Sequence, residues 1–272
     1  MTEALFRAKQ DMHVHTQLSL CSSDAGQNPA AILDWAVDRG LDTVCFTDHY
    51  WDAAIPGAID WYRQQDRAHV DHIRDMLPGD TRGVQLLIGC ETEYTGGSHV
   101  GISPPEAERM DFINLPFTHM HMVDFVRPSH IRSHRAVAAL WLERFEQALA
   151  LPLPWHKVAF AHISNLLGFD DQLEGILDLL PLDALRVLFD RCAELGAKVE
   201  LNGSSLSMPA VKAHMDSHLR LFEIAGNCGC RFTLGSDAHH PANLTKLKAA
   251  EEVVTALGLR EEHIFDPAEL NR

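Results

Sequence analysis

Short apolar runs alternate with longer amphipathic segments along the whole chain. The short runs are rich in Val, Ile, Leu and Phe, which is typical of strands buried on both faces of a parallel sheet. We predict a β-strand at each of seven such runs: Met12–Val14, Thr43–Phe46, Gln85–Ile88, Phe112–Leu115, Val158–Ala161, Lys198–Leu201 and Arg231–Leu234.

The segments between these runs have the apolar spacing of helices. Six helices are predicted: Pro29–Arg39, Ile59–Leu77, Ser133–Ala150, Leu182–Leu195, Ala210–Ala225 and Ala242–Leu257. The predicted helices Pro29–Arg39, Leu182–Leu195 and Ala210–Ala225 each stop at a glycine, a common signal for a helix end. The proline pairs Pro104–Pro105 and Pro152/Pro154 indicate loops. Strands that alternate with helices predict a parallel sheet with right-handed crossovers, and the periodicity alone leaves open whether the sheet closes into a barrel.

Nothing in the composition divides the chain. It has 272 residues, with no internal repeat, low-complexity stretch or long linker. That length suits one α/β barrel, so we expect a single domain over residues 1–272.

Composition narrows the range of functions. With 23 basic and 38 acidic residues, the formal charge is −15, which repels phosphate backbones and argues against a duplex nucleic-acid binder. No run reaches the ~18 apolar residues of a membrane span, and the N-terminus lacks a signal-peptide core, so we expect a cytoplasmic protein with reduced cysteines. The 17 histidines raise the expectation of a metal site.

Groups able to bind metals or transfer protons lie near the carboxyl end of every predicted strand. In chain order they are Asp11, His13 and His15; Asp48 and His49; Glu91 and Glu93; His119 and His121; His162; Glu200 and Asn202; Asp237, His239 and His240. Active sites of α/β folds are built at the carboxyl ends of the strands. Residues two apart in an extended segment point the same way, so His13 and His15 can reach one metal from one strand. One such pair is weak evidence, but groups after every strand predict a shared metal-binding pocket.

The order of these motifs resembles the PHP family, the polymerase-and-histidinol-phosphatase metallophosphoesterases. The resemblance runs from Asp11 to His240. It includes Asp11-x-His13-x-His15, Thr47-Asp48-His49, Gly89-x-Glu91, a histidine after each of strands four and five, Glu200-x-Asn202 and Gly235-Ser236-Asp237-x-His239. The resemblance implies a distorted (β/α)7 TIM-like barrel. It also implies a trinuclear metal centre that binds two or three divalent ions per chain, which would be zinc, manganese or iron.

The resemblance also implies a role for each matching residue. One metal would take His13, His15, Glu91 and Asp237, and Glu91 would bridge to a second metal that is also held by His119 and His162. The third metal would take His49 and His239. Asp11, Glu200 and Asn202 correspond to groups that orient the ligands. A bridging carboxylate is physically sensible because a shared anion screens the repulsion between two neighbouring cations.

The chain departs from the family pattern at three places. Cys21 stands where the family often has a His or Asp; it is either a zinc ligand or a small buried packing residue. Two histidines follow strand four, and the phase of the motif favours His119 over His121. His162 is followed by no basic residue, unlike in relatives that cleave histidinol phosphate, which leaves the exact substrate open.

The function implied is hydrolysis of a small phosphate monoester, similar to histidinol phosphate, by hydroxide formed at the metals. Asp237 or His239 is expected to pass a proton to the leaving group. The most basic stretch of the chain contains three candidates for binding the phosphate group of the substrate: Arg127, Arg132 and Arg135. Alternatively, this stretch is a solvated loop followed by the first turn of a helix. The aromatic residues Trp51, Trp61 and Tyr62 can shape a pocket for the leaving group or pack in the core.

Two other functions stay open. One is a PHP nucleotide phosphodiesterase or nuclease. The negative charge of the chain argues against long nucleic acids as its substrates, while a nucleotide stays possible. The other is an inactive PHP module that binds metal or a partner. We expect a small phosphorylated molecule as the partner, no membrane and no duplex nucleic acid; the sequence leaves the oligomeric state open.

Overall fold

A ring of parallel strands forms the centre of the molecule. The computed structural model describes residues 5–169 and 172–271. The strands are β1 (Gln10–Val14), β2 (Thr43–Phe46), β3 (His49–Tyr50), β4 (Gln85–Ile88), β5 (Cys90–Thr92), β6 (Tyr94–Gly96), β7 (His99–Val100), β8 (Ile113–Asn114), β9 (Val158–Phe160), β10 (Lys198–Asn202) and β11 (Arg231–Gly235). All seven predicted strands are present, with their ends shifted by at most two residues.

The strands pair around a closed path. One sheet has the order β1-β2-β4 and the other the order β11-β10-β9-β8-β5-β3, all in parallel pairs. Strand β2 continues into β3, and β4 continues into β5. Each of these two pairs occupies one position of the ring, with its first strand in one sheet and its second strand in the other. The ring closes between β1 and the end of β11, where Val14 bridges Ala238 and Asp237 N donates to His13 O at 2.7 Å. The expected distorted seven-stranded α/β barrel is confirmed.

Eleven helices of the described residues surround this ring or connect its strands. They are α1 (Pro29–Arg39), α2 (Asp60–Arg63), α3 (Arg67–Asp75), α4 (Pro104–Arg109), α5 (His134–Ala148), α6 (Leu173–Leu177), α7 (Leu182–Leu195), α8 (Gly203–Leu206), α9 (Pro209–Ala213), α10 (Met215–Asn227) and α11 (Leu247–Ala256). Short 3-10 turns cover Trp155–Lys157, Pro241–Lys246, Glu261–His263 and Pro267–Asn271.

Three of the predicted helices are interrupted or begin with a different geometry. The helix predicted over Ile59–Leu77 is interrupted because buried Gln65 turns inward to accept from Leu20 N and the Ser19 hydroxyl, at 3.1 and 3.3 Å. The helix predicted over Ala210–Ala225 breaks at His214, which leaves helical geometry and contacts Glu174. The first turns predicted for Ala242–Leu257 are 3-10.

One predicted loop is instead helical. Pro104 and Pro105 open α4, because proline suits the first turn of a helix, where its missing N–H is not needed.

The core lies inside the ring and between the ring and its helices. Helix α5, for example, packs Trp141 and Phe145 against Phe117 and Phe160 with ring centroids 4.8–6.0 Å apart. None of the helices described here has the length and apolar character needed to cross a bilayer. The parallel arrangement carries the polar groups after each strand to one edge of the ring.

Candidate metal centre

Two histidines of the first strand segment present nitrogen atoms to the same point. The Nε2 atoms of His13 and His15 lie 3.2 Å apart, and both side chains are buried. The Nδ1–H of His13 donates to Glu200 Oε1 at 2.8 Å, which fixes the tautomer and leaves Nε2 as the free lone pair. Two imidazole nitrogens at this separation can bind one cation.

Glu91, at the end of β5, stands between two sets of imidazoles. Its Oε2 lies 3.3 Å from His15 Nε2 and 3.1 Å from His49 Nδ1. Its Oε1 lies 3.0 Å from His162 Nε2 and 3.9 Å from His119 Nε2. Each carboxylate oxygen therefore faces its own group of nitrogen ligands, which is the arrangement a bridging carboxylate requires.

The side chains form three groups in which the ligand atoms lie within 4.8 Å of one another. The groups are His13, His15 and Asp237; Glu91, His119 and His162; and His15, Cys21, His49 and His239. This division is similar to the one that the resemblance implies, except that Glu91 belongs to the second group only and His15 also belongs to the third. The buried Nδ1 of His49 makes no hydrogen bond with any described residue. This nitrogen lies 3.1 Å from Glu91 Oε2 without forming a hydrogen bond to it, an arrangement that fits a ligand of a divalent cation.

The pKa values of the buried side chains indicate that a metal ion would take the place of protons on the imidazoles. Burial alone would raise the pKa of Glu91, yet His49 and His13 hold it well below its usual range. Burial would lower the pKa of His119, but Glu93 raises it to about 9. Without metal, the carboxylates thus hold protons on the imidazoles. A divalent cation would displace these protons and keep the same charge balance.

Cys21 is exposed and belongs to the third group, so it is not a buried packing residue. Although the residue is exposed as a whole, loss of solvent around its sulfur works to raise the pKa of the thiol; the charge of His15 and hydrogen bonds from His15, His239 and His49 lower this pKa to about 3. A thiolate at this position suits zinc better than manganese.

Three expected supporting residues hold the ligands in place. Glu200 Oε2 accepts from the backbone N of His162 at 2.8 Å, and Asn202 Nδ2 donates to Asp237 Oδ2 at 3.2 Å. Asp11 accepts from Ser236 N at 2.8 Å, beside Asp237. Burial raises the pKa of Asp11 to about 7.

Close packing around Glu200 also requires Gly235. A Cβ on this residue would lie 2.4 Å from Glu200 Oε1 and 2.5 Å from His13 Cβ. Gly235 therefore lets β11 approach the ligands of β1 and the carboxylate of β10.

Two of the ligand candidates have an unusual backbone. His162 has φ of 32° and Asp237 has φ of 53°, in the left-handed region that favours glycine. Residues held there by surrounding contacts are common at functional sites. The geometry turns both side chains inward at the ends of β9 and β11.

Glu93 organises the centre in a way that the sequence did not assign. Its Oε2 accepts from His119 Nδ1 at 2.5 Å and from the Tyr62 hydroxyl at 3.1 Å. The signal that points to it is the spacing of two between Glu91 on β5 and Glu93 directly after this strand. These contacts place His119 in the second group, while His121 is an exposed residue on the rim.

Asp48 is a second supporting residue without an assigned role. It accepts from Thr16 N and from the Thr16 hydroxyl, the latter at 2.7 Å, and it contacts His69 Nε2 at 2.8 Å. It thereby anchors the loop after β1. No sequence signal pointed to His69, because it lies on α3, far from any strand end.

A cavity of about 160 Å³ opens over the candidate ligands. The rest of its described lining, a wall formed by Asn165, Leu167, Ser204, Ser205 and Met208, has no charged side chain. Buried Asn165 donates to Ser205 Oγ at 3.0 Å, and no described residue donates to its Oδ1. Trp61 borders a neighbouring cavity with His49 and His119, whereas Trp51 and Tyr62 are buried.

The predicted phosphate-binding arginines do not reach this cavity. Among the residues that the structure describes, its lining includes none of Arg127, Arg132 and Arg135. The Arg127 guanidinium donates to Met120 O and Ile131 O and stacks over Phe169. Arg132 and Arg135 are exposed, and Arg132 donates to Ser129 O.

Known proteins resemble this chain over most of its length. A probable phosphatase from Aliivibrio fischeri is 28% identical over 257 residues, covering 94% of this chain and 88% of the relative. A probable phosphatase from Vibrio campbellii is 24% identical over 264 residues, with the same coverage.

The fold is also similar to that of a solved structure. The histidinol phosphate phosphatase of Lactococcus lactis, solved with zinc, L-histidinol and phosphate, has a TM-score of 0.63 and 15% identity. The similarity covers 95% of this chain and 98% of that one. At this identity it supports the fold alone. The family model of the PHP domain matches residues 11–167, more than half of the chain, and the chain therefore belongs to the PHP domain family.

Proposed function

We propose that this protein is a metal-dependent phosphoesterase that hydrolyses a small phosphate monoester in the cavity above Glu91. The observation that carries the proposal is the position of Glu91, whose two oxygens face separate groups of imidazoles 3.0–3.9 Å away. The names of the Aliivibrio and Vibrio relatives, probable phosphatases, support the same activity.

The chain offers places for two or three divalent ions, zinc, manganese or iron. His13, His15 and Asp237 would hold one ion, and His119 and His162 a second, with Glu91 between them. Cys21, His49 and His239 would hold a third, for which the thiolate favours zinc. Bound divalent cations supply Lewis acidity, which makes hydroxide available near neutral pH and offsets phosphoryl charge.

His239 is placed to move a proton at the leaving group. Its ring is partly exposed and lines the cavity, and its Nδ1 lies 3.0 Å from Asp237 O and 3.5 Å from Asp237 Oδ1. With ions bound at the other two sites only, the His239 imidazole binds no metal, and it would then donate a proton to the departing alkoxide.

The neutral wall favours a small leaving group without net charge. Asn165 presents its unpartnered amide oxygen and Ser205 its hydroxyl, while Leu167 and Met208 supply apolar contact. An uncharged alcohol with a hydrogen-bond donor matches this combination.

The test combines metal analysis with an ester panel. Purified protein without a tag is analysed for zinc, manganese and iron, then assayed with p-nitrophenyl phosphate, bis(p-nitrophenyl) phosphate and histidinol phosphate. We expect two to three metal ions per chain and faster monoester than diester hydrolysis. His13→Ala and Asp237→Ala should each lose both metal and activity.

Three results would contradict the proposal. Faster diester hydrolysis would favour a phosphodiesterase, and metal without hydrolysis of any ester would favour an inactive module. Full activity in both alanine variants would remove the metal-dependent mechanism.

A further inference from the structure

The cavity has one lysine directly behind its neutral wall. Lys246 Nζ donates to Ser204 Oγ at 3.2 Å, and Ser204 lines the cavity. We infer that Lys246, held by Ser204, is the cation that binds the phosphoryl group of the substrate and favours a monoester over a diester. This inference rests on the proposed function, and it assigns to Lys246 the task that the sequence suggested for Arg127, Arg132 or Arg135.

The backbone brings Lys246 to this wall. Gly203, the first residue of α8, packs so closely on the end of the 3-10 turn Pro241–Lys246 that a Cβ would lie 2.4 Å from Lys246 O. The same turn begins directly after His240, so the chain runs from candidate ligand His239 to Lys246 within seven residues. The turn is thus held at both ends, by the chain connection to His239 at its start and by the packing of Gly203 at its end, and this fixes the backbone of Lys246 near the site.

Among the residues that the structure describes, no anion competes for the ammonium group. No described carboxylate forms an ion pair with Lys246, whereas Lys157 lies near Glu108 and Lys248 near Glu252, each at 3.7 Å. Its bond to a neutral hydroxyl is easily exchanged for a phosphate oxygen, because a charge-assisted hydrogen bond is the stronger of the two. The flexible four-carbon stem allows the small movement that this exchange needs.

The charge of the ester explains the preference for a monoester. A phosphate monoester carries up to two negative charges near neutral pH and a diester one. The cation therefore stabilises the bound monoester more. The guanidinium of Arg127 cannot take this role without giving up its two backbone carbonyls.

The experiment compares Lys246→Met with Lys248→Met, an exposed lysine two residues further along. Inorganic phosphate is titrated calorimetrically into the zinc-loaded protein, and KM and kcat are measured with p-nitrophenyl phosphate and bis(p-nitrophenyl) phosphate. Losing a hydrogen bond to a charged group should weaken phosphate binding about 10- to 100-fold in Lys246→Met. KM for the monoester should rise more than KM for the diester. Lys246→Arg should recover part of the loss, and Lys248→Met should match the wild type.

Unchanged phosphate affinity in Lys246→Met would overturn the inference, as would a loss confined to Arg127→Ala. If Lys246→Met loses zinc or melts at a lower temperature, Lys246→Gln becomes the deciding variant, because its polar side chain can still bond to Ser204 Oγ while the positive charge is removed. A severalfold weaker affinity for phosphate is then expected, and an unchanged affinity would overturn the inference. If the wild type cleaves neither ester, the proposed function fails, while the phosphate titration still measures the role of Lys246.

Discussion

Glu200 joins two candidate ligands that are far apart in the sequence, because its Oε1 accepts from His13 Nδ1 and its Oε2 from the backbone N of His162, each at 2.8 Å. It orients one imidazole directly and positions another through the main chain. Since a carboxylate behind a histidine also raises its basicity as a ligand, Glu200 should control metal affinity without binding metal itself.

Glu200→Gln should therefore weaken metal binding about 10- to 100-fold. The amide keeps the shape of the side chain but can accept only through one oxygen. Competition with a chromophoric chelator measures the affinity, and circular dichroism checks the fold. Glu223→Gln, on the exposed side of α10, is the matched control. Equal affinity in both variants would contradict a role for Glu200.

Cys21→Ser should remove zinc from one site and leave manganese binding unchanged. The thiolate is a strong zinc ligand and a poor manganese ligand, whereas a serine hydroxyl binds zinc weakly. Elemental analysis after dialysis against each metal should show about one zinc ion fewer per chain. Cys228→Ser is the control, because Cys228 precedes β11 at the opposite end of the barrel. Full zinc content in Cys21→Ser would exclude the thiol as a ligand.

His119 and His121 should respond differently to alanine. Glu93 fixes the Nδ1 of His119, so that Nε2 faces Glu91, while His121 lies on the exposed rim. His119→Ala should lose metal and activity, and His121→Ala should keep the metal. Glu93→Gln should weaken metal binding less than His119→Ala, because the histidine remains. Metal loss in His121→Ala alone would reverse the assignment that the motif phase and the structure both favour.

His218 should make the fold sensitive to acid. It is fully buried in α10, and neither ring nitrogen has a hydrogen-bond partner among the described residues. Burial, with a smaller contribution from His214, lowers its pKa to about 4. Between that value and the ordinary 6.5, the unfolded chain binds a proton that the folded chain does not. Stability should fall as the pH drops from about 6.5 to about 4, by up to about 3 kcal/mol.

His218→Leu tests this dependence. It removes the titrating ring and should flatten the loss of stability between pH 6.5 and 4. Urea unfolding at several pH values measures the slope, and His72→Leu, on an exposed position of α3, is the control. An unchanged slope in His218→Leu would assign the acid sensitivity to other groups.

Local patterns predicted the strands well and the short helices poorly. Thr43–Phe46 and Gln85–Ile88 have the predicted bounds because a buried parallel strand is a continuous apolar run. The break at Gln65 and the helix at Gly203–Leu206 depend on partners distant in the sequence, which no local pattern contains. The strands β6 and β7 were missed because an antiparallel pair of two or three residues has too little periodicity to detect.

The sequence by itself determined which residues form the candidate centre, because a parallel ring carries the polar group after every strand to one edge. Only the tertiary structure decided how those residues are arranged: that Glu91 stands between two groups of imidazoles, that Glu93 holds His119, and that Cys21 joins His49 and His239. It also placed Lys246, rather than the arginines after strand four, behind the cavity wall. The physical reason is that strand periodicity fixes the direction of a side chain, while distances between side chains depend on the packing of loops and turns from distant parts of the chain.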